Sequence, residues 1–440
     1  MKMEPHTIEH MATQLITHYD HPAQFEPMMP SEALSRPLYE KASDLMLAGK
    51  SLAGLAMAHP RSEIRALLRS MNSYYTNLME GEHTRPSEIE EALQADFSGN
   101  AKLARRQRLA VSHIQTEQEC ESSIDRMRER GEDATRWLYS TEALEWLHDR
   151  LFSGLSTDEL TQSDGTVMSP GHIRTRHVAV GVHHPPIAKS LPAFLDRWSS
   201  FYGGMRRGDV AVAGLAASHH RLAWIHPFQD GNGRVARLHT HLVLHAMGIT
   251  GGLWSPLRGF ARTEYRYKAL LHAADNHRAG DLDGRGNLTQ KGLLAWMDYV
   301  LDVCIDQVAF MGQQLDIQGM SDRIAAALTF DETTAKTGVR MEALRPLHYL
   351  FATQAELTRA EFRTMTGLGD RVATSTLSAL IQQGYLATDS AYGPVRFAVP
   401  RHALRFYFPA LWPEAEKDAA LVEGDRHGDA PVPHRAKRRS

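Results

Sequence analysis

His226-Pro227-Phe228-Gln229-Asp230-Gly231-Asn232-Gly233-Arg234-Val235-Ala236-Arg237 is the stretch from which the rest of the chain can be read. It spells the end of one helix, a glycine-rich turn and the start of another. Pro227 pushes the residue before it out of the α region, so a helix over Asp209 to Ile225 should stop at His226. Gly231 and Gly233 can take positive φ and bare their N–H groups. With the N-terminus of the next helix, those groups make a nest for an anion such as a phosphate. Arg234 and Arg237 are three apart and share a helix face. Two guanidinium forks beside such a nest suit a polyphosphate better than a single carboxylate. Asp230 adds a hard oxygen at the rim, which suits Mg²⁺ bridging phosphates. His226 can accept a proton near neutral pH. A histidine at a helix end, a DGNG turn or two arginines on one face is commonplace singly. Together within one short stretch they mark a site.

Working outward, most of the chain reads as helix. Ile64, Leu67, Leu68, Met71, Tyr75 and Leu78 recur at three- and four-residue steps, with Gly81 as a stop. A second unit spans about Ser87 to Ala95. A long charged segment from Ala101 to Leu151 follows, with Trp137, Leu138, Leu144 and Leu147 as core contacts. Between Ser163 and Pro186 the texture turns to Gly, Pro, Thr and Val, and a short β-hairpin or extended flap is expected. Helical patterning resumes at Leu191 and runs to about Gln314. From Met341 to Pro409 the order is helix (Leu344, Leu347, Leu350), helix (Arg359 to Thr366), helix (Asp370 to Gln383) and two strand-like pieces. That is the order of a winged helix-turn-helix.

The fold class expected is therefore all-α, with a short β-hairpin flap and a C-terminal winged helix. The divisions expected are an N-terminal helical region over 1–100, a core over 101–320, a winged helix over 335–410 and a disordered charged tail over 411–440. The first forty residues, rich in proline and charge, read as a loose lead-in.

Bulk properties exclude several classes. A formal charge of −3 over 440 residues gives no global pull toward nucleic acid or an acidic membrane. Cys120 and Cys304 lie far apart, which argues against a disulfide framework or a thiolate metal site. Neither a signal-peptide pattern nor an apolar run of about eighteen residues is present, so a cytoplasmic protein without membrane association is expected.

At the opening stretch the sequence resembles the Fic (Fido) family, whose signature HPFx[DE]GNGRxxR is matched at every defined position. The resemblance extends over about 60–315. SPGHIRTRHVAVGVHHPP, running from Ser169 to Pro186, looks like that family's target-docking flap, including His172, Ile173, Arg174, Thr175, Arg176, His177 and Val178. The resemblance implies an all-α core that transfers AMP from ATP to a Ser, Thr or Tyr hydroxyl of a protein, which could be the enzyme itself. His226 would be the general base, and Asp230 would hold Mg²⁺ between the α- and β-phosphates. Gly231, Asn232 and Gly233 would line the anion hole, with Asn232 near the α-phosphate. Arg234 would hold the β-phosphate and Arg237 the γ-phosphate.

Far upstream, Thr76 and Glu80 are four apart on one helix face, just before Gly81. A carboxylate near a helix C-terminus opposes the macrodipole and invites a cation from elsewhere. In the Fic family the pattern [ST]xxxE[GN] marks an inhibitory helix, here about 61–81. The resemblance implies that Glu80 pairs with Arg237 and denies the γ-phosphate its site; some relatives also use this glutamate to remove AMP.

Other readings compete. His219, His220, His239, His241 and His245 crowd the region, and His241 and His245 at i, i+4 could bind a metal, though no HExxH and no matching carboxylate spacing follows. The helix with Arg371, Thr374, Ser375 and Thr376 could touch DNA through residues 335–410, but it is not strongly basic. The donor could be another nucleotide; Arg258, Tyr265 and Tyr267 are candidates for the base pocket. The target and the oligomeric state are not readable.

Overall fold

A computed structural model describes residues 19–55, 61–162, 164–181, 183–353 and 355–410. It is helical almost throughout. The chain runs through α1 (Glu32–Leu55), α2 (Arg61–Leu78), α3 (Pro86–Leu93), α4 (Ala101–Glu129), α5 (Ala134–Leu138), α6 (Thr141–Phe152) and the short α7 (Thr157–Leu160). An extended stretch leads to α8 (Leu191–Tyr202), α9 (Gly208–Ile225), α10 (Asn232–Ala246), α11 (Leu257–Arg262), α12 (Glu264–Asp275) and α13 (Gln290–Gln314). The last part comprises α14 (Ile317–Phe330), α15 (Leu344–Thr353), α16 (Arg359–Thr366), α17 (Asp370–Gln382), β1 (Leu386–Ala387), β2 (Arg396–Phe397) and α18 (Leu404–Tyr407). None of the described helices is long and apolar enough to cross a membrane.

α9 and α10 sit at the centre because both are buried on nearly every face. α1, α8, α10 and α13 pack around α9. Two tryptophans fix its backbone: Trp198 Nε1 of α8 donates to the Ser218 carbonyl at 3.0 Å, and Trp296 Nε1 of α13 to the Ala216 carbonyl at 2.7 Å. Indole N–H groups buried in a core need such partners. α2 lies against α4, α11 and α10, burying Ile64, Leu68, Met71 and Tyr75 of its apolar stripe. Cys120 and Cys304 are buried free thiols.

Several expectations need correction. The residues that precede α1 are not loose where they are described. Phe25 and Met28 are buried, Tyr19 packs edge-on against Trp224 at 4.7 Å, and buried Arg221 donates to the Pro27 carbonyl at 2.7 Å. The prolines that suggested looseness instead shape a segment held by long-range contacts. Residues 1–18 and the expected tail at 411–440 lie outside the described residues, as do Ser163 and Val182 at the ends of the expected flap.

The flap between α7 and α8 forms no hairpin among the described residues. It has only isolated bridges, Thr161 with Val167 and Val180 with His183. Pro170, Pro185 and Pro186 have no N–H to give to a ladder. Trp137, expected as core, is only partly buried and meets Trp146 at 6.2 Å.

In the C-terminal part the order of three helices and an antiparallel two-stranded hairpin is present, with Leu386 opposite Phe397. Phe351, Phe362, Leu377, Leu380 and Phe397 form its core, and α14 packs on α15 and α18. α17 exposes Arg371 beside Asp370 and buries Thr376, so it presents no basic face.

Candidate active site

α9 ends where the sequence places its end, but His226 does not become extended. It turns left-handed, with φ 51 and ψ 62, and its N–H still bonds the Leu222 carbonyl. The loop that follows is closed by Asn232. Its Oδ1 accepts the Phe228 N–H at 2.9 Å, and its Nδ2 donates to the Phe228 carbonyl at 2.8 Å. The amide is therefore spent on holding the loop, not turned toward a ligand. Gly231 has φ 76, and a Cβ there would come within 2.4 Å of the Phe152 ring. Only glycine fits that turn. Val235 N–H bonds the Gly231 carbonyl and so begins α10. Asn232→Ala strands two buried backbone groups at Phe228 and should destabilise the fold by about 1–3 kcal/mol. Urea denaturation measures this, with Asn232→Asp, which keeps one acceptor, falling between.

The base end is fixed by two residues that the opening stretch does not contain. Arg174 is buried and has no acidic partner among the described residues. Its Nε donates to the His226 carbonyl at 2.8 Å, and its other nitrogens donate to the Arg176 and Pro186 carbonyls. Burial without a counter-charge lowers its guanidinium to about 10. Arg174 was expected among the docking residues of the flap, but its side chain anchors the site instead. His148 of α6 accepts the Gly171 N–H at Nδ1 (2.8 Å), which leaves Nε2 to donate to the Asp230 carbonyl (3.1 Å). Its ring stacks on Phe228 at 4.0 Å. Burial holds His148 down to about 4, so it bridges flap and loop as a neutral ring. Burial likewise brings His226 down to about 4, against a hydrogen bond to the Ala223 backbone that favours the proton. His226 is thus a neutral imidazole across the physiological range. Asp230 is exposed at the mouth of the loop, with Oδ1 on the Gly231 N–H at 2.6 Å.

The two arginines of α10 are buried and meet the end of α2. Glu80 and Gly81 follow α2 in a left-handed cap: Gly81 has φ 74, its N–H bonds the Leu78 carbonyl, and the Glu82 N–H bonds the Asn77 carbonyl. That cap turns the Glu80 carboxylate onto Arg237, with Oε1 2.5 Å from Nη2. Arg237 Nε also donates to Thr76 Oγ1 at 2.8 Å, and Nη2 to the Thr76 carbonyl at 3.2 Å. Arg234 Nε donates to Asn77 Oδ1 at 3.1 Å. Asn77 was not expected from the sequence, although it lies inside the same short pattern. A Cβ on Gly233 would fall 2.6 Å from Glu80 Oε1, so the carboxylate rests on the first turn of α10. Burial alone would raise the Glu80 carboxyl. The Arg237 and Arg234 charges and the Arg237 hydrogen bond outweigh it and hold the carboxyl below the usual carboxylate range.

The remaining candidates divide. Tyr267 is buried, bonds His219 at 2.8 Å and interacts with Arg237. Tyr265 is 89% exposed. Arg258 lies 3.6 Å over the Phe310 ring of α13. His172, Thr175, Arg176 and His177 are exposed, Ile173 and Val178 are half-buried, and no backbone–backbone bond is made by the N–H groups of residues 175–179 among the described residues. The crowded histidines are buried and held apart. His219 bonds Thr240, His220 bonds the Leu271 carbonyl, His239 bonds the Leu138 carbonyl, and His245 contacts Asp125 at 3.0 Å. His241 faces Glu117 and Glu121. Acidic partners for His241 and His245 therefore do exist, upstream on α4 at four-residue spacing.

Residues 138–244 match the Fic/DOC family. Protein adenylyltransferase fic-1 of Caenorhabditis briggsae is 34% identical over 116 residues, 26% of this chain and 21% of that protein. Protein adenylyltransferase Fic of Drosophila melanogaster is 34% identical over 79 residues, 18% of this chain and 16% of that protein. The chain thus spans about a fifth of the length of these curated relatives. Among solved structures, a Fic family protein from Desulfovibrio desulfuricans overlays 85% of this chain and 98% of its own, at 15% identity and a TM-score of 0.49. Fic-1 from Caenorhabditis elegans overlays 63% of this chain and 72% of its own, at 19% identity and a TM-score of 0.45.

Proposed function

We propose that this chain, a Fic-family protein, is an adenylyltransferase that moves AMP from ATP onto a Ser, Thr or Tyr hydroxyl of a protein. The observation that carries this reading is the convergence of a neutral His226 with a glycine-bounded helix N-terminus and two buried guanidinium groups. A neutral imidazole can take the proton of an attacking hydroxyl. The N–H groups at the start of α10 stabilise charge on the phosphorus being attacked, while Arg234 and Arg237 hold the rest of the triphosphate. Arg174 and His148 act through other residues, fixing the His226 carbonyl and the Asp230 backbone so that base and anion nest keep their spacing.

Mg²⁺ fits the hard donor at the loop mouth. Asp230 is an exposed carboxylate at the loop mouth, and Mg²⁺ takes one or two such groups beside phosphate oxygens. When bound it would offset phosphate charge.

Glu80 makes this site self-limiting, because its carboxylate occupies the guanidinium that a γ-phosphate would need. The exposed, unladdered flap suits a target backbone laid alongside it as an added strand. The test is mass spectrometry of the Glu80→Gly protein incubated with mixed nucleotides and with lysate. An added AMP on a hydroxyl residue is expected; a different adduct, or none, would reject the AMP assignment.

A further inference from the structure

Away from the loop, α4 and α10 meet in a second cluster, buried and unused by the proposed reaction. Glu117 and Glu121 of α4 and His241 of α10 bring one ligand atom each within 4.8 Å of one another. His241 Nε2 stands 3.3 Å from Glu117 Oε1 and 3.4 Å from Glu121 Oε1. A charge-assisted N–H···O bond closes to about 2.7–2.9 Å, so both separations are long for an ion pair. They are close to the distance of roughly 3.3–3.4 Å between neighbouring ligands of a tetrahedral cation with bonds of about 2.0–2.1 Å.

His113, one turn before Glu117, supplies an independent sign. It is 0% exposed, and among the described residues both of its ring nitrogens lack a hydrogen-bond partner, as does Glu117 Oε2. His113 Nδ1 points at that oxygen from 3.7 Å, too far to bond it. Polar atoms left bare in a core are costly, and a buried imidazole nitrogen facing a bare carboxylate oxygen calls for a partner that neither supplies.

We propose that Glu117, Glu121 and His241 bind a divalent transition metal of the zinc type, with His113 beside the Glu117 carboxylate. Two carboxylate oxygens with an imidazole nitrogen suit that class, whereas Mg²⁺ and Ca²⁺ favour oxygen alone. All three ligands are buried from solvent. The carboxylates are already oriented from outside: Arg65 Nε and Arg69 Nη2 reach Glu121 Oε2 at 2.9 and 2.7 Å, and Asn72 Nδ2 donates to Glu117 Oε1 at 2.8 Å. Such outer hydrogen bonds are what ligating carboxylates use. All three donors lie on α2, so the cation would tie the helix that carries Thr76 and Asn77 to the helix that carries Arg234 and Arg237.

The test uses the untagged full-length protein, analysed for metal by mass spectrometry and titrated with zinc sulfate. About one zinc per chain is expected, together with a melting temperature that falls by several degrees on treatment with a strong chelator and recovers with zinc. Glu117→Gln and His241→Phe should lose the bound zinc. Should these variants fold poorly, the wild type alone decides. No zinc after purification, no uptake on titration and an unmoved melting temperature would overturn the site, leaving His241 as an imidazolium shared by two carboxylates. Zinc retained in full by both variants, if they fold, would overturn it equally.

Discussion

Glu80→Gly should raise transfer of label from [α-³²P]ATP into the protein itself by about 5- to 150-fold, the span of a coupling of roughly 1–3 kcal/mol. Arg237 is 3% exposed and carries its charge among Thr76, Glu80 and Tyr267, so the Glu80 carboxylate is its counter-ion. That carboxylate lies against Gly233, in the position through which a triphosphate would reach the guanidinium. Glycine at position 80 keeps the cap and removes the competitor. Glu80→Gln keeps the shape without the charge and should fall between. A folded-state carboxyl held below its ordinary value keeps its stabilising charge at neutral pH and loses it only as pH drops below the usual carboxylate range. Mild acid therefore should not mimic the substitution. Equal labelling by wild type and Glu80→Gly, with both well folded, would remove Glu80 from any regulatory role.

His226→Ala placed on the Glu80→Gly background should abolish that labelling, a loss of about 10²–10⁴ if only proton transfer fails. Nucleotide binding should survive, since Arg234, Arg237 and the N-terminus of α10 are untouched. Burial holds His226 at about 4. The base form thus persists down to mild acid, and the rate of the Glu80→Gly protein should not fall as pH is lowered from 8 toward 5. A decline centred near 6.5, the ordinary imidazole value, would show that His226 is not held neutral in the working enzyme.

How much was legible follows the range of the interactions. The loop from His226 to Arg237 could be read because its chemistry is local: a proline that ends a helix, glycines that turn, arginines on the next helix face. The pairing of Glu80 with Arg237 spans a long stretch of sequence, and no spacing rule reaches that far; the family pattern stood in for it. Arg174 and His148 were missed as anchors because their partners are backbone carbonyls, which every residue carries. The flap was read as a hairpin or an extended segment from its residue types, and the extended form is the one present, since a ladder needs a second strand and free N–H groups, which its prolines withhold. The four-residue spacing of Glu117, Glu121 and Asp125 was visible, as were His241 and His245 at the same spacing. What sequence could not say is that α4 and α10 lie side by side.

The left-handed backbone at His226 has a consequence for stability. A side chain at φ 51 costs roughly 1–2 kcal/mol that glycine would not pay, and here the strained residue also precedes a proline. His226→Gly should therefore unfold at a higher denaturant concentration than His226→Ala, although both lack the base. The position is one where activity is maintained against conformational preference. Selection for ruggedness alone would drift toward a better-behaved, inert chain.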